Sequence, residues 1–236
     1  MKRMIAFAGF TVGLSIILTS PAHATITQKY NTVAINNPGH YDGVYCSLLI
    51  PNMTPFWSTG SGNKINTELW LNTNSTDSWV EVGYHDGYNW KSDGSIASTS
   101  YKGLFTAYAN GSVWSVQSFP SKNWASGQSH TIGALLGYSS GSYYADMRVD
   151  GSVLLSYTNA AIGSVGETDV GVEWNTTNGL SPSASVTSST FTDLNLHNSL
   201  GWSKWSSHSA DFLYPNNTYP GYTANFDQTN NRIIWN

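Results

Sequence analysis

An all-β fold, a two-sheet antiparallel β-sandwich, is what this sequence predicts, and three observations predict it. Aromatic and β-branched residues alternate with polar ones in short segments, and the segments end at clusters of Gly, Asn, Asp, Ser or Pro. Ten Trp and fourteen Tyr sit among 22 Gly, a composition that favours strands and tight turns over helices. Beyond the first 24 residues, no segment has the pattern of a helix.

Taken in order, 27–35 alternates loosely and stops at the turn Asn36-Asn37-Pro38-Gly39. The mostly apolar run 43–50 reads as a central strand closed by Pro51, and 55–64 as a Ser/Gly loop. Ile65, Thr67, Leu69 and Leu71 then share one face of a strand, with Asn66, Glu68 and Trp70 on the other. The polar link 72–77 makes this strand a hairpin partner of the next, Trp79 to Tyr84. The segment 85–100 is rich in Gly, Asp, Ser and Asn and reads as a long functional rim, with His85-Asp86-Gly87 starting a turn. Strands follow at 101–108 and 112–118 around Asn110-Gly111, and at 129–138, 142–149 and 152–157 around Ser139-Ser140-Gly141 and Asp150-Gly151. Residues 120–128 form a loop containing Trp124. A strand around Glu173 and one long or two short strands in 184–196 complete the set.

The domain reading is an export signal over 1–24, a sandwich over 25–200, and an aromatic-rich tail over 201–236 that packs on or extends it. The signal reading rests on Lys2 and Arg3, an apolar run over 5–18, and Ala22-His23-Ala24 as the cleavage site. The run is too short for a membrane span, so the expectation is a secreted, monomeric protein of about 210 residues with no membrane partner. Ten basic residues stand against fourteen acidic. Without Lys2 and Arg3 the net charge is −6, and only 10% of residues are charged. That excludes nucleic-acid binding through a basic face. Cys46 is the single cysteine, so no intrachain disulfide exists, and it reads as a small buried hydrophobe.

The chemistry concentrates in two stretches. In Ser78-Trp79-Val80-Glu81-Val82-Gly83-Tyr84, the valines and Tyr84 take one face, and Trp79, Glu81 and Gly83 the other. In Asp169-Val170-Gly171-Val172-Glu173-Trp174-Asn175, Val170, Val172 and Trp174 take one face, and Gly171, Glu173 and Asn175 the other. The chain has four glutamates, Glu68, Glu81, Glu167 and Glu173. Two of them sit mid-strand opposite a Val/Val face, each with a glycine two residues away on its own side. If their strands are neighbours, the carboxyls lie close on one polar surface open to solvent or ligand. One pKa then rises, and the pair works as acid and base. The glycines read as room for a substrate backbone. The bland alternative is two outward-facing glutamates paired with solvent or a cation.

The order Trp-Val-Glu-Val-Gly-Tyr on an early strand, a tyrosine-rich strand, then Gly-Val-Glu-Trp on a late strand resembles the glutamic peptidases, in their eqolisin and neprosin groups. The resemblance covers roughly 44–196. It implies a concanavalin A-like jelly roll, with Glu81 and Glu173 as a catalytic dyad acting at acid pH on a polypeptide substrate, and no cofactor. The chain lacks the Trp-Val-Gly-Ile-Asp-Gly block of eqolisins and the paired cysteines of many neprosins. Trp79, Trp70, Tyr108 and Asn175 are the candidate substrate-binding residues. Two alternatives stand beside this reading: a glycan hydrolase with two carboxylates in one groove, and a non-catalytic module that binds polysaccharide through surface aromatics. Gly137-Tyr138-Ser139-Ser140-Gly141 fits a nucleophile elbow only by letter, because it joins two strands. The histidines lack zinc-ligand spacing, no loop carries a calcium-ligand series, and no metal is expected.

Overall fold

The computed structural model describes residues 27–36, 41–54, 64–73, 78–90, 96–111, 114–158, 165–176, 185–186, 189–211, 216–217 and 223–235. The export segment read over 1–24 lies outside them, as does the loop read over 55–64 except for Lys64, which is a strand residue. Among the described residues seventeen strands run in chain order: β1 (Thr27–Asn36), β2 (Gly43–Leu49), β3 (Met53–Thr54), β4 (Lys64–Thr73), β5 (Ser78–Trp90), β6 (Ile96–Asn110), β7 (Trp114–Phe119), β8 (Ser129–Ser139), β9 (Ser142–Val149), β10 (Ser152–Thr158), β11 (Val165–Thr176), β12 (Ser185–Val186), β13 (Ser189–Asn198), β14 (Gly201–Lys204), β15 (Asn216–Asn217), β16 (Ala224–Asp227) and β17 (Arg232–Trp235). The only helical turns among the described residues are two short 3-10 segments, Pro120–Lys122 and Trp205–Asp211.

The expected architecture is the one adopted, an antiparallel two-sheet jelly-roll sandwich. The first sheet has the order β15-β1-β11-β4-β5-β6-β7, and the second β10-β9-β8-β2-β13-β17-β16, with β14 added to β13. Alternation decides what lies between them. Val80, Val82 and Tyr84 of β5, Ile65, Leu69 and Leu71 of β4, and Val170, Val172 and Trp174 of β11 form one inner face. They meet Val44, Cys46 and Leu48 of β2, Ile132 and Ala134 of β8, and Phe191 and Leu196 of β13. Each such side chain contributes roughly 1.5–3 kcal/mol on burial, so the sandwich stands without a disulfide. Cys46 is part of this core, and burial pushes its thiol pKa up, away from nucleophilic use.

The tight turns follow their residues. Ser140-Gly141 and Asp150-Gly151 have positive φ at both positions, the geometry that matches strand twist in two-residue hairpins.

The expected rim at 85–100 is corrected over 85–90 and 96–100, and its centre, 91–95, lies outside the described residues. Residues 85–90 and 96–100 continue β5 and β6, with Tyr88 opposite Ser100 and Trp90 opposite Ile96. The polar side chains that suggested a loop find partners inside the sheet. His85 Nδ1–H donates to Asn66 Oδ1 at 2.6 Å, and Asp86 pairs with Lys102 at 3.2 Å. His85 is therefore a mid-strand residue, and starts no turn.

Residues beyond 200 contribute to the second sheet. β17 pairs with β13, and β16 with β17, while Trp205, Ala224 and Ile233 join the core.

Candidate functional site: a buried glutamate cluster

The site lies on the other face of the first sheet. Register places four rows across β1, β11, β4 and β5: Gln28–Asn175–Lys64–Gly87, Tyr30–Glu173–Asn66–His85, Thr32–Gly171–Glu68–Gly83, and Ala34–Asp169–Trp70–Glu81. Glu173, Glu68 and Glu81 therefore step diagonally over three adjacent strands. The strands of Glu81 and Glu173 are not neighbours, because β4 runs between them and brings Glu68 into the middle. One carboxylate oxygen from each glutamate lies within 4.8 Å of the others.

The sequence reading left this face open, but the structure closes it. Glu68, Glu81 and Glu173 are 0%, 5% and 4% exposed. The two glycines have a different use from the expected one. A Cβ on Gly83 would overlap Glu68 Cβ and stand 2.5 Å from the Thr67 carbonyl oxygen. One on Gly171 would overlap the Asn31 carbonyl and stand 2.7 Å from Thr32 Cα. The room they leave is filled by neighbouring strands. Between β5 and β4 at Glu68, and between β11 and β1 at Thr32, the sheet is too tight for any other residue.

Each carboxyl has its own environment. Glu173 Oε1 receives the Lys64 ammonium at 3.4 Å and Asn175 Nδ2 at 2.7 Å. Glu81 accepts a hydrogen bond from the Trp70 indole, its cross-strand neighbour. Burial first, then the Glu173 carboxylate, raises the Glu81 pKa to about 8. Neither oxygen of Glu68 meets a donor from any other kind of residue. Its carboxyl faces those of Glu173 and Glu81, and carboxyls crowded together away from water cannot all ionise. Burial, then Glu81 and Glu173, pushes its pKa well above the usual range. His85 is held neutral, its pKa lowered to about 3 by burial and then by Lys64. The Tyr30 phenol is pushed up by burial and then by Glu173.

A spacing of 4.8 Å is wide enough for a divalent cation with oxygen ligands. The fit is poor, because the Lys64 ammonium already stands at Glu173 and would repel one. The chemistry this arrangement suits is proton transfer, with an ionised carboxylate beside protonated ones in a setting of low dielectric.

Of the sequence-derived candidates, Glu81, Glu173, Trp70 and Asn175 converge here. Trp79 shares the face but lies one row beyond Glu81, opposite Asn72, and is half-buried. Tyr108 is on the opposite face. It pairs with the core residue Val80 and packs on Tyr157 with ring centroids 4.0 Å apart, so it cannot floor a groove beside Glu81. Sequence reasoning missed Glu68, Lys64 and Tyr30 as site residues. Glu68 carried a usable signal: closing the hairpin over 74–77 with Thr73 opposite Ser78 sets Glu68 opposite Gly83 and Trp70 opposite Glu81. A second carboxyl pair extends the face. Asp169 accepts Asn72 Nδ2 at 2.7 Å and is pushed well up by burial, then by Glu167.

No protein-family model matches the chain, and no curated protein matches it. Among solved structures it is similar to SCP-B, a member of the eqolisin family of peptidases in a complex with the tripeptide Ala-Ile-His. The identity is 11% over 89% of this chain and 98% of that one, with a TM-score of 0.49. It is also similar to the Caenorhabditis elegans galectin LEC-6, at 14% identity over 68% and 95% of the two chains and a TM-score of 0.32. A third, Bacillus licheniformis β-glucanase, is 12% identical over 64% and 72%, with a TM-score of 0.35.

Proposed function

We propose that the protein is an exported, monomeric endopeptidase that uses its glutamate cluster to direct water against peptide bonds on the acid side of neutrality. The observation that carries this reading is the approach of three glutamate oxygens to within 4.8 Å of one another beside a single ammonium. The choice of a peptide substrate rests on the motif resemblance around Glu81 and Glu173.

In the proposed reaction the Glu173 carboxylate takes a proton from water as the water oxygen bonds to the carbonyl carbon. Protonated Glu81 gives its proton to the carbonyl oxygen. Collapse of the resulting diol breaks the C–N bond. The proton on Glu173 passes to the leaving nitrogen, and a hydroxyl proton of the diol returns to Glu81. Both carboxyls end as they began, with no covalent intermediate. The acid works only while protonated, so activity falls as pH rises through about 8.

The test is cleavage of a peptide library between pH 3 and pH 9 by the mature protein and by its E81Q and E173Q variants. The expected result is loss of roughly 10²–10⁴-fold in kcat/KM for either variant; E81Q keeps its melting temperature at acid pH, whereas E173Q, which leaves the buried Lys64 ammonium without its partner, lowers it. No cleavage by the wild type at any pH removes the peptidase reading.

A second reading has one observation in its favour. On the outer face of the second sheet, Trp202 is 44% exposed and meets Tyr45 and His197 edge to face, each at 4.8 Å. Retention on an insoluble polysaccharide that is abolished by Trp202→Ala, with no turnover, would support glycan binding.

A further inference from the structure

We propose that Lys64 is a positioning residue, a built-in counter-cation that fixes which member of the cluster is ionised, so that Glu173 carries the charge while Glu68 and Glu81 carry the protons. Its importance for catalysis rests on the peptidase reading; the charge assignment does not.

Lys64 opens β4 between Asn175 of β11 and Gly87 of β5. Its side chain is 12% exposed and that of Glu173 5%. A surface lysine keeps its ammonium in water and buries only its stem, whereas this one points its charge inward. Glu173 alone among the three glutamates receives it at salt-bridge distance, together with Asn175 Nδ2 on the same oxygen. Glu81 has the neutral Trp70 indole and the facing Glu68 carboxyl, no cation, and Glu68 has no donor beyond its sister carboxyls. The other titratable groups facing Lys64 are neutral, namely the His85 imidazole and the Tyr30 phenol. Burial alone would strip the proton from Lys64, but Glu173, Glu81 and Glu68 outweigh it and raise the ammonium pKa above its usual value.

Charge balance does the rest. One ammonium with one carboxylate is neutral, and a second ionised carboxyl would leave an uncompensated charge away from water. The cation touches Glu173 and neither of the other two carboxyls, and so the charge is assigned there. If Lys64 loses its charge, the neutral state of the cluster has three protonated carboxyls and no base.

The experiment is carboxyl-carbon NMR titration of side-chain-labelled glutamate in the full mature protein. With only four glutamates in the chain, E68Q, E81Q and E173Q assign the cluster signals. Wild type should show Glu173 ionising first among the three. In Lys64→Met the Glu173 midpoint should rise by more than one pH unit, and in Lys64→Arg it should return near wild type. Should Lys64→Met fail to fold, the wild-type order still decides, since Glu68 or Glu81 ionising first overturns the assignment. So does a Glu173 midpoint that Lys64→Met leaves in place, or a stoichiometric shift of the cluster signals by Ca²⁺ or Mn²⁺. The same variants separate this proposal from the peptidase reading. The expected titrations without any peptide cleavage leave the charge assignment standing and remove the peptidase. Cleavage whose acid limb is unmoved in Lys64→Met keeps the peptidase and removes the role of Lys64.

Discussion

Glu68 is the residue whose environment says most about how the cluster is built. A carboxylate with no N–H donor, fully enclosed and facing two other carboxyls, is stable only as an acid. Glutamine has the same shape as that acid and never ionises. Glu68→Gln should leave the melting temperature near wild type at pH 4 and raise it at pH 8, by several degrees in a thermal scan. A lower melting temperature at pH 8 would mean that Glu68 is ionised and needed as such. Two neighbours show why residue type alone was a weak guide. Tyr108 and Trp70 are both aromatic residues on strands beside Glu81, yet one faces the core and the other donates to the glutamate.

At the scale of the strands, the decisive feature is how closely β5 approaches β4, and β11 approaches β1. Gly83 and Gly171 flank Glu68 in its row, and neither tolerates a Cβ without moving a backbone. Gly83→Ala should cost about 1–3 kcal/mol, the usual range for forced overpacking, read as a shifted denaturation midpoint. It should also abolish any peptide cleavage, because the atom it strikes is Glu68 Cβ. Stability within about 0.5 kcal/mol of wild type, the scale of a neutral surface change, would show that the strands have slack. The β5–β6 hairpin is long for a related reason. His85 and Asp86 find partners in Asn66 and Lys102, so a stretch with loop composition is held as strand.

The molecule as a whole carries a pH signature. Glu68, Glu81 and Asp169 all have folded-state pKa values above their unfolded ones. The folded chain therefore binds more protons than the unfolded one across that interval, and stability falls as pH rises. The loss begins near the unfolded carboxyl value of about 4 and, for Glu81, is complete only above about 8. The melting temperature should be highest near pH 4–5 and drop by several degrees by pH 8.5. A flat or rising profile would contradict the burial of these acids. The C-terminal strands belong to the same whole. Deleting 224–236 removes Ala224 and Ile233 from the core and uncovers the β17 side of β13. The shortened chain should be insoluble or lose its cooperative thermal transition, and a soluble, cooperatively melting product would show these strands to be dispensable.

Alternation and turn chemistry are local, and so the sequence by itself determined the all-β class, most strand positions, the hairpin turns at Ser140-Gly141 and Asp150-Gly151, and the faces of Glu81 and Glu173. A side chain's face follows from parity along its own strand, and a two-residue turn from the φ values its residues accept. Only the tertiary structure decided that β4 lies between β5 and β11, because no local signal sets the pairing of β4 with a strand about a hundred residues away. That pairing makes a pair of glutamates into a trio with a lysine, and the closeness of β5 to β4 and of β11 to β1 turns two glycines from expected substrate space into packing. Tertiary contacts also drew 85–90 and 96–100 into the sheet and the last strands into the core. Hydrogen-bond partners and buried area come from distant segments, and a polar or aperiodic stretch carries no record of them.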